Sequence, residues 1–205
     1  MAGPQICDEA AEAPSSPLPW RTVTLPVTDL TPDSFAPFGQ VVDPQPDGGH
    51  YGPHDAQLDL TRGTPRFYLM RLQNRTLQFD RITHHAKTTQ CLGSVNGLPW
   101  YLGVAQPSIL GATETVDLQK CPEVLKGDGY DYLPPAVENI RLFKVEGPRF
   151  LKLHAGTWHA GPLFEEPWMD FYNLELSNTN ETDHTTYNFK KNKDIVFEVE
   201  NPCSC

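Results

Sequence analysis

The sequence predicts an all-β fold, a sandwich or barrel carrying a few short helices, and three observations lead there. Twenty prolines and 15 glycines in 205 residues are too many for a helical chain. Apolar residues recur with period two in short segments such as Gly147-Pro148-Arg149-Phe150-Leu151-Lys152-Leu153-His154. Turn signals separate these segments, and no long helical pattern lies between them, which excludes an alternating α/β sheet.

Composition sets the remaining bounds. The length suits one domain over residues 20–200, between tails at 1–19 and 201–205. The first tail is rich in Ala, Pro, Ser and acids and reads as disordered. A formal charge of −10 argues against a nucleic-acid partner. No apolar run approaches the roughly 20 residues that span a bilayer, so no membrane partner is expected. Cys7, Cys91, Cys121, Cys203 and Cys205 are odd in number and scattered, which predicts free thiols. With no basic-then-apolar leader at the start, an intracellular, cytoplasmic location follows. The terminal Cys203-Ser204-Cys205 has the form of a prenylated end without its usual context, and reads as tail.

In chain order, strands are expected at 20–27, 40–43, 66–72, 77–83, 89–92, 100–105, 140–144, 149–154, 169–176 and 195–199. Thr31-Pro32-Asp33-Ser34-Phe35 is a helix start: a capping hydroxyl, a proline in the first turn, then an acid near the positive end of the dipole. Pro37 and Gly39 keep that helix short. Residues 44–65 read as a loop; its His50, His54, Asp55 and Asp59 are spaced as a solvated segment rather than a metal site. A short helix is expected near 136–139, within a less regular section at 107–139.

The stretch from Val145 to Glu175 carries the chemistry. His154 and His159 flank the turn Ala155-Gly156-Thr157-Trp158, where Gly156 is free to take a positive φ. Lys152 and His154, two apart on a strand, share a face. His154 either enters the pocket or hydrogen-bonds the turn; Lys152 is either its pocket partner or solvated. His84 and His85 face opposite ways, with His84 outside. Tyr172 and Glu175 also face opposite ways, so only one enters the pocket. Trp158 is either core or pocket wall.

These residues resemble the cupin superfamily. Its first motif has the form His-x-His, three or four residues, Glu, six residues, Gly; here Thr83-His84-His85 is followed by Gln90 and Gly97 at that spacing. Its second motif ends Pro-x-Gly-x-x-His; here His154-Ala155-Gly156-Thr157-Trp158-His159 stands in its place. Within the cupins the chain is most similar to the ureidoglycolate lyase (ureidoglycolate hydrolase) family. Thr31, Phe35, Phe38 and Gly39, His85 with Gln90, His154 with Trp158-His159, Pro162-Leu163-Phe164, and Asp170-Phe171 carry that likeness.

The resemblance implies a jelly-roll barrel, a homodimer, and cleavage of the C–N bond of a small carboxylated substrate, ureidoglycolate, to glyoxylate and urea in purine and allantoin catabolism. It implies His85, Gln90 and His159 as remnants of a metal set. Two imidazoles and a neutral amide would hold a divalent ion weakly or not at all. The chemistry needs a base, an acid and a cationic anchor. His85, His154 and His159, with Lys152, are the catalytic candidates. Gln90, Arg66, Lys87, Trp158 and Tyr172 are the substrate-binding ones. The same pocket would also serve a metal-free isomerase, epimerase or cyclase, or a non-enzymatic binding protein.

Overall fold

A computed structural model describes residues 20–111, 124–127 and 129–200. The expected tails at 1–19 and 201–205, and Cys7, Cys121, Cys203 and Cys205, lie outside the described residues. In order, the chain forms β1 (Arg21–Leu25), β2 (Val27–Thr28), α1 (Pro32–Phe35), β3 (Gly39–Val42), β4 (Pro65–Gln73), β5 (Gln78–Phe79), β6 (Arg81–His84), β7 (Gln90–Ser94) and β8 (Trp100–Ala105). There follow β9 (Leu125–Gly127), β10 (Tyr130–Tyr132), a 3₁₀ turn (Val137–Asn139), β11 (Arg141–Val145), β12 (Phe150–Leu153), β13 (Trp158–His159) and β14 (Trp168–Leu176). The chain closes with α2 (Thr179–Thr182), β15 (Thr185–Asn188), α3 (Phe189–Lys193) and β16 (Ile195–Val199).

The fold is predominantly β, as expected. Hydrogen bonding, however, does not close a barrel among the described residues: the sheets are open. A six-stranded sheet runs β15-β6-β13-β8-β11-β2, and a five-stranded sheet runs β3-β12-β7-β14-β4. A third sheet, β1-β16-β5, lies on the far side of the first.

The six-stranded sheet is therefore covered on both faces, and β8 shows why. Trp100, Leu102 and Val104 pack with Leu92, Phe143, Leu151 and Phe171 between the two large sheets. Tyr101 and Ala105 pack with Phe79, Trp158, Phe189 and Phe197 on the other face. A strand buried on both faces reads as a continuous apolar run, which Trp100–Ala105 is. Gly103 completes the fit: a Cβ there would stand 2.5 Å from the Phe79 ring.

Local signals are kept where the sequence placed them. Thr31 caps α1, its hydroxyl accepting from the Ser34 backbone N–H at 3.0 Å, with Pro32 in the first turn. The single strand expected at 77–83 is broken at Asp80, whose carbonyl accepts from the Phe189 N–H at 2.8 Å. As a result β5 joins the third sheet while β6 joins the six-stranded one. The hairpin β9–β10 and strand β15 carry no clear period and were not expected. Cys91 is a free, buried thiol.

Candidate functional site

Between the two large sheets lies a cavity of about 190 Å³, walled in part by Tyr68, His85, Gln90, His159, Asn173 and Glu175. That is about six water volumes at ~30 Å³ each, room for a small metabolite. Three strands of the five-stranded sheet build its polar floor. Antiparallel register sets Glu175 opposite Arg66 and Asn173 opposite Tyr68, while Asn173 also faces Leu92, two residues on from Gln90. From the six-stranded sheet His159 enters beside Thr83, its partner in register.

Each imidazole is held by a backbone carbonyl. His85 Nδ1 donates to the Asp183 carbonyl at 2.6 Å, and His159 Nδ1 donates to the Thr157 carbonyl at 3.2 Å. These bonds leave each Nε2 as the ring's acceptor, and both residues line the cavity. The rings are 5.3 Å apart between centroids. Burial pushes His159 down to about 3, with His85 close by adding to the shift. Burial also lowers His85, against the opposing pull of the Asp183 carbonyl. Both are therefore neutral at pH 7.

Asp183 is the hub that fixes His85. Its carboxylate accepts from the Ala86 and Lys87 backbone N–H groups at 2.7 and 2.8 Å, while its carbonyl holds the ring. The carbonyl of His85 in turn accepts from Gly156 N–H at 2.6 Å, tying the histidine turn to this loop. Gly156 has φ of +82°, as the turn requires.

Gln90 is oriented by its neighbours. Its Nε2 donates to Asn173 Oδ1 at 3.0 Å and to Glu175 Oε2 at 3.2 Å, and its buried Oε1 has no hydrogen-bond partner among the described residues. Tyr68 donates to Glu175 Oε1 at 3.2 Å, and Asn173 Nδ2 donates to the Tyr68 oxygen at 2.9 Å. A buried acceptor left open favours a ligand with an N–H or O–H to give.

Several expected residues stand elsewhere. Lys152 and His154 do share a face, and their side chains meet at 3.0 Å. That face is the outer one: Lys152 is opposite Cys91 and Gln40 in register, whereas Leu151 and Leu153 point into the core. His154 Nε2 donates to the Ala36 carbonyl at 3.1 Å, so it pins α1 rather than entering the cavity. Trp158 is fully buried in the other core, with Nε1 donating to Ser108 Oγ at 2.8 Å. Tyr172 is on the outer face beside Phe67, and Glu175 is the inward member of that pair. Arg66 lies at the rim, stacked on Tyr68 at 3.7 Å and 4.0 Å from Glu175. Lys87 turns to the Thr182 carbonyl at 3.2 Å. His84 packs against Trp158 on the opposite side of its strand from His85.

Other wall residues were not singled out from the sequence: Arg75, His184, Tyr68 and Asn173. Arg75 follows Asn74, whose φ of +53° is a left-handed turn that asparagine tolerates. The turn leans the guanidinium over Gly161, 3.7 Å from where a Cβ there would stand. Read locally, Asn74-Arg75-Thr76 is only a glycosylation triplet; nothing in it points to a pocket. His184 stands 5.5 Å from His85 between ring centroids. Register alone would have found Tyr68 and Asn173, had the pairing of β4 with β14 been known.

Among the described residues no group of three His, Cys, Asp or Glu side chains is placed to hold a metal ion. His85 and His159 offer two imidazole nitrogens, and Gln90 turns its amide nitrogen to Asn173 and Glu175. No protein-family model matches this chain, and no curated protein matches it.

Proposed function

We propose that the protein is a cupin-type lyase that cleaves ureidoglycolate to glyoxylate and urea. The observation that carries this reading is that two imidazoles, each with Nδ1 held by a backbone carbonyl, line one small cavity together with Arg75. The two facing β-sheets and the cupin-like spacing of His85, Gln90 and His159 support it as well.

The chemistry follows from what the reaction must move. The reacting carbon bears a hydroxyl, a carboxylate and a ureido nitrogen. Arg75 binds the carboxylate, which suits a planar fork of donors. His85 Nε2 takes the hydroxyl proton. The freed electron pair closes the C=O bond of glyoxylate as the C–N bond breaks, and the imidazolium returns the same proton to the departing nitrogen. No proton is gained or lost, so one neutral base suffices. His159, held neutral by burial, accepts a hydrogen bond from the substrate, and Gln90 Oε1 accepts one from the ureido N–H.

The test is urea release from racemic ureidoglycolate, with and without a chelator. Turnover is expected in both. His85→Ala is expected to lose 10²-fold or more, the usual contribution of a positioned base. Arg75→Ala is expected to raise KM more than it lowers kcat. Urea release no faster than the uncatalysed reaction would end this reading.

A further inference from the structure

The floor of the cavity has spent its donors and kept its acceptors. Gln90 gives its amide N–H groups to Asn173 and Glu175, and Tyr68 gives its hydroxyl proton to Glu175. Asn173 gives one N–H to the Tyr68 oxygen and keeps the other. Gln90 Oε1, by contrast, is buried and has no hydrogen-bond partner among the described residues. Each Glu175 oxygen takes one of these bonds and has a further lone pair. Glu175 is only 2% exposed. Its one ion pair among the described residues is with Arg66, which stands at the rim, 4.0 Å away and beyond hydrogen-bond reach.

We propose that this floor seats a guanidinium group, so that the protein also cleaves the guanidino counterpart of ureidoglycolate, 2-guanidino-2-hydroxyacetate, to glyoxylate and guanidine. The reaction rests on the lyase reading above; the choice of group rests on the floor. The two compounds differ at one position, where an NH₂ replaces the ureido carbonyl oxygen. Their shapes therefore match, and hydrogen bonding and charge decide between them. A ureido carbonyl calls for a donor, and the floor has only the second Asn173 N–H to give. A guanidinium offers donors alone and carries a positive charge. It meets Gln90 Oε1 and the Glu175 carboxylate, a buried charge that gains from a close cation. The carboxylate of the same ligand is left to Arg75, which also lines the cavity.

The step needs no further reagent. His85 Nε2 takes the hydroxyl proton, the C=O bond of glyoxylate forms as the C–N bond breaks, and the electron pair leaves on nitrogen. A guanidinium departs as neutral guanidine, whereas a ureido group carries negative charge until its proton arrives. The imidazolium then returns the proton, giving guanidinium.

Guanidinoacetate and ureidoacetate lack the hydroxyl, so they cannot be cleaved, and they differ at the same position. Calorimetry with these two on the full chain tests the floor apart from catalysis. Guanidinoacetate is expected to bind about tenfold tighter or more, the worth of one charge-assisted hydrogen bond. Glu175→Gln is expected to remove most of that preference; should it not fold, the wild-type comparison decides alone. Glyoxylate release from racemic 2-guanidino-2-hydroxyacetate is expected above the uncatalysed rate. Guanidinoacetate binding no tighter than ureidoacetate would overturn this inference, as would a folded Glu175→Gln that keeps the full preference. Turnover of ureidoglycolate without turnover of its guanidino counterpart would overturn it and leave the lyase reading standing. Glyoxylate from neither compound would end both.

Discussion

Among single residues, the two histidines of the cavity differ in what their burial does to them. His159 is held at about 3, so it stays neutral across the whole working range and serves as an acceptor. Burial lowers His85 as well, and there the Asp183 carbonyl, the Asp183 charge and Glu175 oppose the desolvation. An exchange of His159 for Gln keeps an acceptor and should retain a substantial part of kcat; the same exchange at His85 should not. If the two variants lose equal activity, the division of roles is wrong. The acid limb of kcat/KM should fall below 6.5, since the lowered His85 must be neutral to act. Gln90→Glu tests the electrostatics of the cavity floor. Its side chain sits 3.2 Å from Glu175, so a second carboxylate there meets like charge in a buried site. The variant should lose about 2–4 kcal/mol at pH 7 in urea titrations, and an unchanged midpoint would contradict this placement of Gln90.

Strands and turns show what period-two reading reaches and where it stops. Trp100–Ala105 and Ile195–Val199 are legible to the residue, because long apolar runs between turn signals leave little choice. The rule also placed Lys152 with His154 and separated His84 from His85. It did not say which face is inward. Here the six-stranded sheet is apolar on both sides and the loop at 44–64 buries part of an outer face, so burial itself gives no direction. Lys152 shows the result: a buried lysine, its pKa lowered mainly by desolvation, on the side away from the cavity. Arg75 and Asp183 were invisible for another reason: both act through partners distant in sequence. Close approach of strands gives a sharper test. A Cβ on Gly39 would stand 1.9 Å from the Lys152 carbonyl oxygen, so β3 and β12 must part to admit it. Gly39→Ala should cost about 3 kcal/mol, the upper end for overpacking, and lower Tm by roughly 6–12 °C in a thermal melt. An unchanged Tm would contradict this strand pairing.

The molecule as a whole inherits a pH dependence from its buried imidazoles. An unfolded histidine titrates near 6.5, whereas His159 in place titrates at about 3. Below 6.5 the unfolded chain binds the extra proton, so stability is complete above that value and is lost as pH falls. The slope approaches about 1.4 kcal/mol per pH unit from this one group, with His85 acting in the same direction. Urea midpoints compared at pH 7.5 and 5 should show the loss, and His159→Gln should flatten it; a midpoint independent of pH over that range would contradict the buried neutral state. The layering of sheets has a kinetic consequence too. Strand β8 lies between two cores, so its amides have no local route to solvent and should exchange deuterium only when the entire molecule opens. Strand β4, bonded among the described residues to β14 alone, should instead show alternating labels, every second amide exchanging in the earliest time points.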